Sequence, residues 1–199
     1  MKEHWNRRYS SQEYIYGTEP NEFFKQEIEK LFPGIILLPG EGEGRNAVYA
    51  AVKGWVVDAF DQSEEGKRKA LLLAAEKNVD INYVIAGYED LEFAGNKYDA
   101  IGIIFIHVNE EMKTQLAAKT ISALKPGGKL IMEVFEKEQL GKPSGGPKEQ
   151  ELLYSLEDVV NMFNELEFEK FTKESVQLDE GNYHKGEASV IRFVGIKPE

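Results

Sequence analysis

Leu37-Leu38-Pro39-Gly40-Glu41-Gly42-Glu43-Gly44-Arg45-Asn46 is the stretch that decides how this chain is read. An apolar run, Ile35 to Leu38, enters it, and a small-residue helical pattern with Ala47, Val48, Ala50 and Ala51 leaves it. Strand, alternating glycines, helix: this order brings backbone close to a ligand where a helix presents its free N–H groups. Gly40 and Gly42 are the positions of close approach. Glu41 and Glu43 are each open to two readings, a ligand contact or a solvated loop carboxylate. Asp61 closes the next strand at the spacing where such folds hold a ribose. The pattern points to a nucleoside cofactor.

Working outward, strands and helices alternate. Asn21 can cap a helix carrying Phe24, Ile28 and Leu31, which Pro33-Gly34 stops. Ile35 to Leu38 is strand one, followed by a helix from about Asn46 to Lys53 with Gly54 at its end. Trp55 to Phe60 is strand two, and Ser63 caps a helix opened by Glu64 and Glu65 and ended by Asn78. Ile81 to Ala86 is strand three. Ala100 to Val108 is an almost unbroken apolar run, as a strand buried on both faces requires. Asn109-Glu110-Glu111 starts a helix that Pro126-Gly127-Gly128 ends, and Lys129 to Phe135 is strand five. This rhythm predicts a parallel sheet with helices on both faces.

The last third differs. Glu136 to Gln150 holds Gly141, Pro143, Gly145, Gly146 and Pro147 and reads as a long exposed loop. Ser155-Leu156-Glu157-Asp158 opens a final helix with a capping box. Two strands follow, Phe168 to Leu178 and Ala188 to Ile196, as an antiparallel hairpin. One domain is expected over 1–199: an N-terminal lid and first helix (1–33), a cofactor-binding core (34–135), and a substrate-side loop, helix and hairpin (136–199).

Composition narrows the partners. The net charge of -11, from 24 basic and 35 acidic residues, argues against nucleic acid. No apolar run approaches the ~20 residues that span a bilayer, so no membrane partner is expected. The first residues lack the apolar centre of a secretion signal, and cysteine is absent. A cytoplasmic location fits both observations. Three histidines without cysteine give no metal constellation, so the expected metal site is none.

These residues resemble the class I S-adenosylmethionine-dependent methyltransferases, and the resemblance covers nearly the whole chain. Gly40-Glu41-Gly42-Glu43-Gly44 is similar to the first motif of that family, Asp61 to the acid of its second, and Leu124-Lys125-Pro126-Gly127-Gly128 to the turn before its fifth strand. Trp5, Arg8-Tyr9 and Tyr16-Gly17-Thr18-Glu19-Pro20-Asn21 look closest to the tellurite-resistance and thiopurine methyltransferase branch. The resemblance implies a Rossmann-like α/β fold: a seven-stranded, mostly parallel sheet with a C-terminal antiparallel hairpin. It also implies S-adenosyl-L-methionine as cofactor and a small-molecule methyl acceptor, with a thiol or chalcogen compound suggested by the branch. Many class I members carry an acid two residues before the first glycine. Leu38 stands there, so the cofactor's amino group needs another acceptor, such as carbonyls of the loop.

Candidate residues follow. Asp61 would accept hydrogen bonds from the ribose hydroxyls. Gln62 and the segment Gly87 to Leu91, with Tyr88 and Glu89, lie where adenine is held, and Phe105 and Ile106 where the methionine portion would be bordered. Trp5, Tyr9, Tyr14 and Tyr16 would form an aromatic lid around the sulfonium, or else cover the edge of the sheet. His107, at the carboxyl end of strand four, has the ordinary basicity to deprotonate an acceptor, unless it only shapes the pocket. His184, in the hairpin connection, would contact substrate or be a plain loop histidine. An NAD-type oxidoreductase is disfavoured, because Arg45 stands where its fingerprint needs a glycine. A non-catalytic cofactor-binding regulatory module on the same fold is the alternative to an enzyme.

Overall fold

The protein is described by a computed structural model that covers residues 2–90 and 93–199. Seven strands follow the order β3-β2-β1-β4-β5-β7-β6, and the chain divides into two compact units, which are taken in turn.

The first unit comprises Met1–Leu91 with Glu180–Tyr183. It contains α1 (Lys2–Tyr9), α2 (Glu22–Ile28), β1 (Ile35–Pro39), α3 (Arg45–Val52), β2 (Val56–Asp61), α4 (Glu64–Glu76) and β3 (Asn82–Ile85). β1 pairs with β2 and β2 with β3, both parallel, so the loop after β1 and Asp61 at the end of β2 share one rim. Asn21 caps α2 by accepting the Phe24 N–H at 2.8 Å, and Ser63 caps α4 by accepting the Gly66 N–H at 3.0 Å. α1 was not legible as a helix, because Lys-Glu-His-Trp-Asn-Arg-Arg-Tyr carries no apolar stripe. Tertiary packing against α4 holds it instead.

A buried ion pair ties the segment after α1 to this unit. Lys69 Nζ lies 2.5 Å from Glu43 Oε1, and both side chains are 3% exposed. The second carboxylate oxygen of Glu43 accepts the Ile15 N–H at 2.8 Å and the Tyr16 N–H at 3.5 Å. Lys69 also donates to the Glu13 carbonyl at 2.6 Å and lies 4.9 Å from the centre of the Tyr14 ring. Arg45 extends the clasp, donating to the Tyr16 carbonyl at 3.3 Å while paired with Glu180 at 2.8 Å.

The second unit comprises Glu92–Asp179 and His184–Glu199. It holds β4 (Tyr98–Ile104), α5 (Glu110–Ala123), β5 (Leu124–Phe135), α6 (Leu156–Phe163), β6 (Glu167–Glu180) and β7 (His184–Ile196). β4 runs parallel to β5, and β5 antiparallel to β7. Ile101, Ile103, Leu130, Ile131, Val134 and Val190 are fully buried there. Asn109 caps α5, and Ser155 with Asp158 forms the expected capping box on α6. Glu133 and Arg192 sit opposite each other across β5 and β7 and pair at 2.5 Å, with Glu174 adding a contact to Arg192 at 2.9 Å.

Several boundaries differ from the sequence reading. α5 ends at Ala123 and β5 begins at Leu124, so Pro126-Gly127-Gly128 lies inside the strand. His184 is a buried residue that opens β7 instead of lying in the connection. β4 stops at Ile104 instead of Val108, because Phe105 turns to a φ of 51° and breaks the extended run. The segment Glu136 to Gln150 is not simply exposed: Gln139 and Ser144 are buried. Gln139 bonds Ser144 Oγ, the Gly145 carbonyl and the Ser189 N–H, which fastens the turn internally. Polar anchors of this kind leave no hydrophobic signature in the sequence.

Two stability measurements test these ion pairs. Arg192→Met strands the fully buried Glu133 carboxylate without its guanidinium and is expected to lower unfolding free energy by about 3 kcal/mol or more in denaturant titration. Lys69→Met is expected to cost a similar ~3 kcal/mol and to speed hydrogen exchange at the Ile15 and Tyr16 amides, which Glu43 holds.

Candidate functional site

The loop leaving β1 follows its glycines. Gly42 adopts a φ of 60°, and a Cβ there would lie 2.6 Å from the Tyr9 hydroxyl. Gly44 adopts a φ of 91°, and a Cβ there would lie 2.5 Å from Ala70 Cβ. Only glycine fits either position, since backbone sign and space both exclude a side chain. The Glu41 N–H donates to the Phe60 carbonyl at 3.1 Å, and the Tyr83 hydroxyl donates to the Gly42 carbonyl at 2.7 Å. The loop is therefore fixed from β2 and from β3.

Asp61 completes that fixation. Its carboxylate accepts the Gly42 N–H at 3.2 Å and the Ser63 N–H at 2.8 Å. Burial raises its pKa to about 6, against the opposing pull of these amides. An ionised carboxylate accepting two amides keeps lone pairs for ligand hydroxyls.

Glu41 acts on the helix. Its Oε1 accepts the Asn46 N–H at 2.8 Å and the Ala47 N–H at 2.7 Å, which satisfies two of the free donors at the start of α3. Burial raises its pKa to about 7. The sequence reading offers the N–H groups of this helix to a ligand; in the structure Glu41 occupies two of them. Gly40, at a φ of 59°, makes the turn that admits Glu41 to this position.

α1 lays aromatic side chains over the same rim. Trp5 stacks on Tyr9 with ring centres 5.4 Å apart, and Tyr9 is buried beside Gly42 and Asp61. Burial, with the Asp61 charge second, holds the Tyr9 hydroxyl well above its usual pKa, so it stays a neutral donor. Tyr16 is pushed up for the same first reason, burial, while Arg8 pulls the other way. Asn6 accepts the Ser63 hydroxyl at 2.7 Å and the Glu65 N–H at 3.4 Å, which seats α1 on the start of α4. Of the adenine candidates, Gln62 is half-buried next to Asp61, Tyr88 meets Phe60 edge-on at 5.5 Å, and Glu89 is exposed. Leu91, the last residue of that expected segment, lies outside the described residues.

Phe105, His107 and His184 belong to the second unit, where they form an aromatic cluster with Phe135 and Tyr154. Phe105 stacks on Phe135 at 4.5 Å and meets His184 edge-on at 4.6 Å, while His107 stacks on Phe135 at 5.4 Å. His107 Nδ1 lies 3.0 Å from the Leu152 carbonyl, and the Phe135 N–H approaches Nε2 at 3.5 Å. With Nδ1 protonated both contacts are satisfied. Burial lowers its pKa to about 3. The ordinary basicity assumed from sequence therefore does not apply at His107, which is neutral at physiological pH. Ile106 is buried beside them. Among the described residues, no three His, Cys, Asp or Glu side chains group as a metal site, and no helix is long and apolar enough to cross a membrane.

Residues missed from sequence are mostly supports. Asn6, Lys69 and Tyr83 sit in α1, α4 and β3 without a motif, and only three-dimensional pairing identifies them. Glu43 lay within the motif, but its partner Lys69 is 26 residues away.

Residues 36–128 match the family described as methyltransferase domain. Sixty residues are 42% identical to the ubiquinone/menaquinone biosynthesis C-methyltransferase UbiE of Shewanella pealeana. That alignment takes in 30% of this chain and 24% of the relative, so the chain spans about a quarter of the length of the curated protein it matches. Among solved structures, one reported with the conversion of a disulfide bond into a thioacetal group during echinomycin biosynthesis has a TM-score of 0.77 at 16% identity. The likeness covers 100% of this chain and 92% of the other. TehB from Haemophilus influenzae has a TM-score of 0.75 at 14% identity, covering 98% of this chain and 66% of TehB. The strand order is that of a Rossmann-like fold, and residues 36–128 within it are similar to the methyltransferase domain family.

Proposed function

We propose that this protein binds S-adenosyl-L-methionine and transfers its methyl group to a small-molecule acceptor. The observation that carries this reading is the junction of Asp61 with Gly42: a buried carboxylate at the end of β2, bonded to the amide of a glycine loop at the end of β1. Such a junction suits a ribose diol, which Asp61 accepts while the loop backbone lies along the rest of the cofactor. The match of residues 36–128 to the methyltransferase domain supports the same donor. Gly40, Gly42, Asp61, Gln62, Tyr88 and Glu89 are the proposed nucleoside-side residues. Trp5, Tyr9 and Tyr16 are the proposed aromatic cover, whose ring faces suit a sulfonium charge. Glu41 contributes by setting the start of α3.

Methyl transfer from a sulfonium is an in-line displacement from an activated donor, so positioning supplies much of the catalysis. The acceptor that fits best is a thiol or heavier chalcogen compound. A neutral His107 with both nitrogens engaged is a weak base, and a thiol ionises near neutral pH with little help, whereas a hydroxyl needs a base. The resemblance of the N-terminal motifs to the tellurite-resistance and thiopurine methyltransferase branch suggests the same acceptor class. His107 is then a neutral, shape-giving group of the aromatic cluster in the second unit, which His184 shares. A cytoplasmic setting and independence from nucleic acid complete the proposal.

Incubation with isotopically labelled methyl donor and a panel of thiols, selenols and tellurite tests it directly. Label is expected in at least one chalcogen acceptor; donor binding with no turnover across the panel would favour the regulatory-module alternative. Asp61→Asn is expected to weaken S-adenosylhomocysteine binding at least severalfold in calorimetry while the protein remains folded. In wild type, affinity should be full above pH 6 and fall as pH drops through about 6, by up to about tenfold per unit below it, because the protonated carboxyl loses its charge-assisted bonds. Affinity that stays flat from pH 7 to about 5 would remove Asp61 from the site.

A further inference from the structure

Four elements of the first unit meet at Gly42: α1 through Tyr9, β2 through Asp61, β3 through Tyr83 and α4 through Gly66. Glycine has the freest backbone of any residue, so a single conformation at Gly42 needs its two flanking peptide planes held from outside. β2 holds one plane, since the Gly42 N–H donates to Asp61 Oδ2 at 3.2 Å. β3 holds the other, since the Tyr83 hydroxyl donates to the Gly42 carbonyl at 2.7 Å. That second bond is buried, and a phenylalanine at this position would leave the carbonyl unsatisfied.

α4 supplies a wall. Gly66 lies in the first turn of this helix, where alanine is the better helix former and suits the same backbone. Conformation therefore does not explain the glycine, but space does. A Cβ on Gly66 would lie 2.9 Å from the Gly42 carbonyl oxygen and 3.2 Å from its carbon. These are backbone atoms, and the oxygen is the one that Tyr83 holds.

We infer that Tyr83 and Gly66 are positioning residues of the ligand site, which fix the Gly42 carbonyl so that the Gly42 amide keeps Asp61 aimed at its ligand. The inference rests on the proposed reading of Asp61 as the ribose acceptor and deepens it, because it assigns selection for ribose hydroxyls to two residues outside the glycine motif. Asp61 spends Oδ1 on the Ser63 N–H at 2.8 Å and Oδ2 on Gly42. Those two amides set the directions in which its remaining lone pairs point. A Gly42 peptide that drifts frees one carboxylate oxygen, and affinity for a diol falls while contacts elsewhere on a ligand remain.

Calorimetric binding of S-adenosylhomocysteine, and of its analogue lacking both ribose hydroxyls, to wild type, Tyr83→Phe and Gly66→Ala tests this. The analogue keeps the adenine and the amino-acid end but offers Asp61 no hydroxyl. Wild type is expected to prefer S-adenosylhomocysteine about tenfold or more. Each variant is expected to weaken S-adenosylhomocysteine about fivefold or more while the analogue changes by less than about twofold, so the preference shrinks. Tyr83→Phe removes one oxygen and keeps the ring, so the test stands even where Gly66→Ala does not fold. An unchanged preference in a folded variant would overturn the inference for that residue. An equal loss for both ligands would also overturn it, since it would make the residue a support of the fold alone. Wild type that binds neither ligand, or both equally, would instead overturn the reading of Asp61, and this inference with it.

Discussion

The rim of the first unit depends on the Glu43–Lys69 pair. Removing two charges from water is expensive, and such a pair contributes stability only when its remaining hydrogen-bonding capacity is met. Here it is met by backbone: Ile15 and Tyr16 amides on the carboxylate, and the Glu13 carbonyl on the ammonium. The two charges thus organise a stretch of chain that has no helix or strand of its own between α1 and α2. Without that stretch in place, α1 would lose the Arg8–Tyr16 bond and the anchored chain that follows it, and Tyr9 would be held less firmly against Gly42.

A second constraint works beside it. Three carboxylates occupy the glycine loop and the end of β2, and each has a different task. Glu43 pairs with a cation, Glu41 meets the first amides of α3, and Asp61 joins loop to strand. Burial raises the pKa of Glu41 and of Asp61, which places both transitions nearer to neutrality than an exposed carboxylate. Perturbed groups gathered at one rim are a mark of function. In the second unit the same burial acts in the opposite sense on His107, since there the charged form is the protonated one.

Much of the architecture was legible because its signals are local. Asn21, Ser63, Asn109 and Ser155 announced helix starts through side chains that reach their own backbone, and each caps as read. The apolar run around Ile101 and Ile103 announced a buried strand. Its end was misjudged because hydrophobicity continues through Phe105, Ile106 and Val108, while the backbone turns at Phe105 for reasons that composition does not carry. The glycine loop and Asp61 were legible as a motif. The tasks of the glutamates were not, because Lys69 and the amides of Ile15 and Tyr16 are distant in sequence. Arg192 and Glu133 could be read as charges needing partners, and the antiparallel register of β5 and β7 makes them partners of each other.

Glu41 carries one further implication. With its pKa raised to about 7, it is divided near neutrality between protonated and ionised microstates, although it sits at the start of a helix. Molecules of the two kinds present different local fields to anything resting on the loop: one begins α3 against a full negative charge and the other against a neutral acid. The glycine cradle is therefore an electrostatic ensemble, whose weights shift with proton activity over the range in which cells operate.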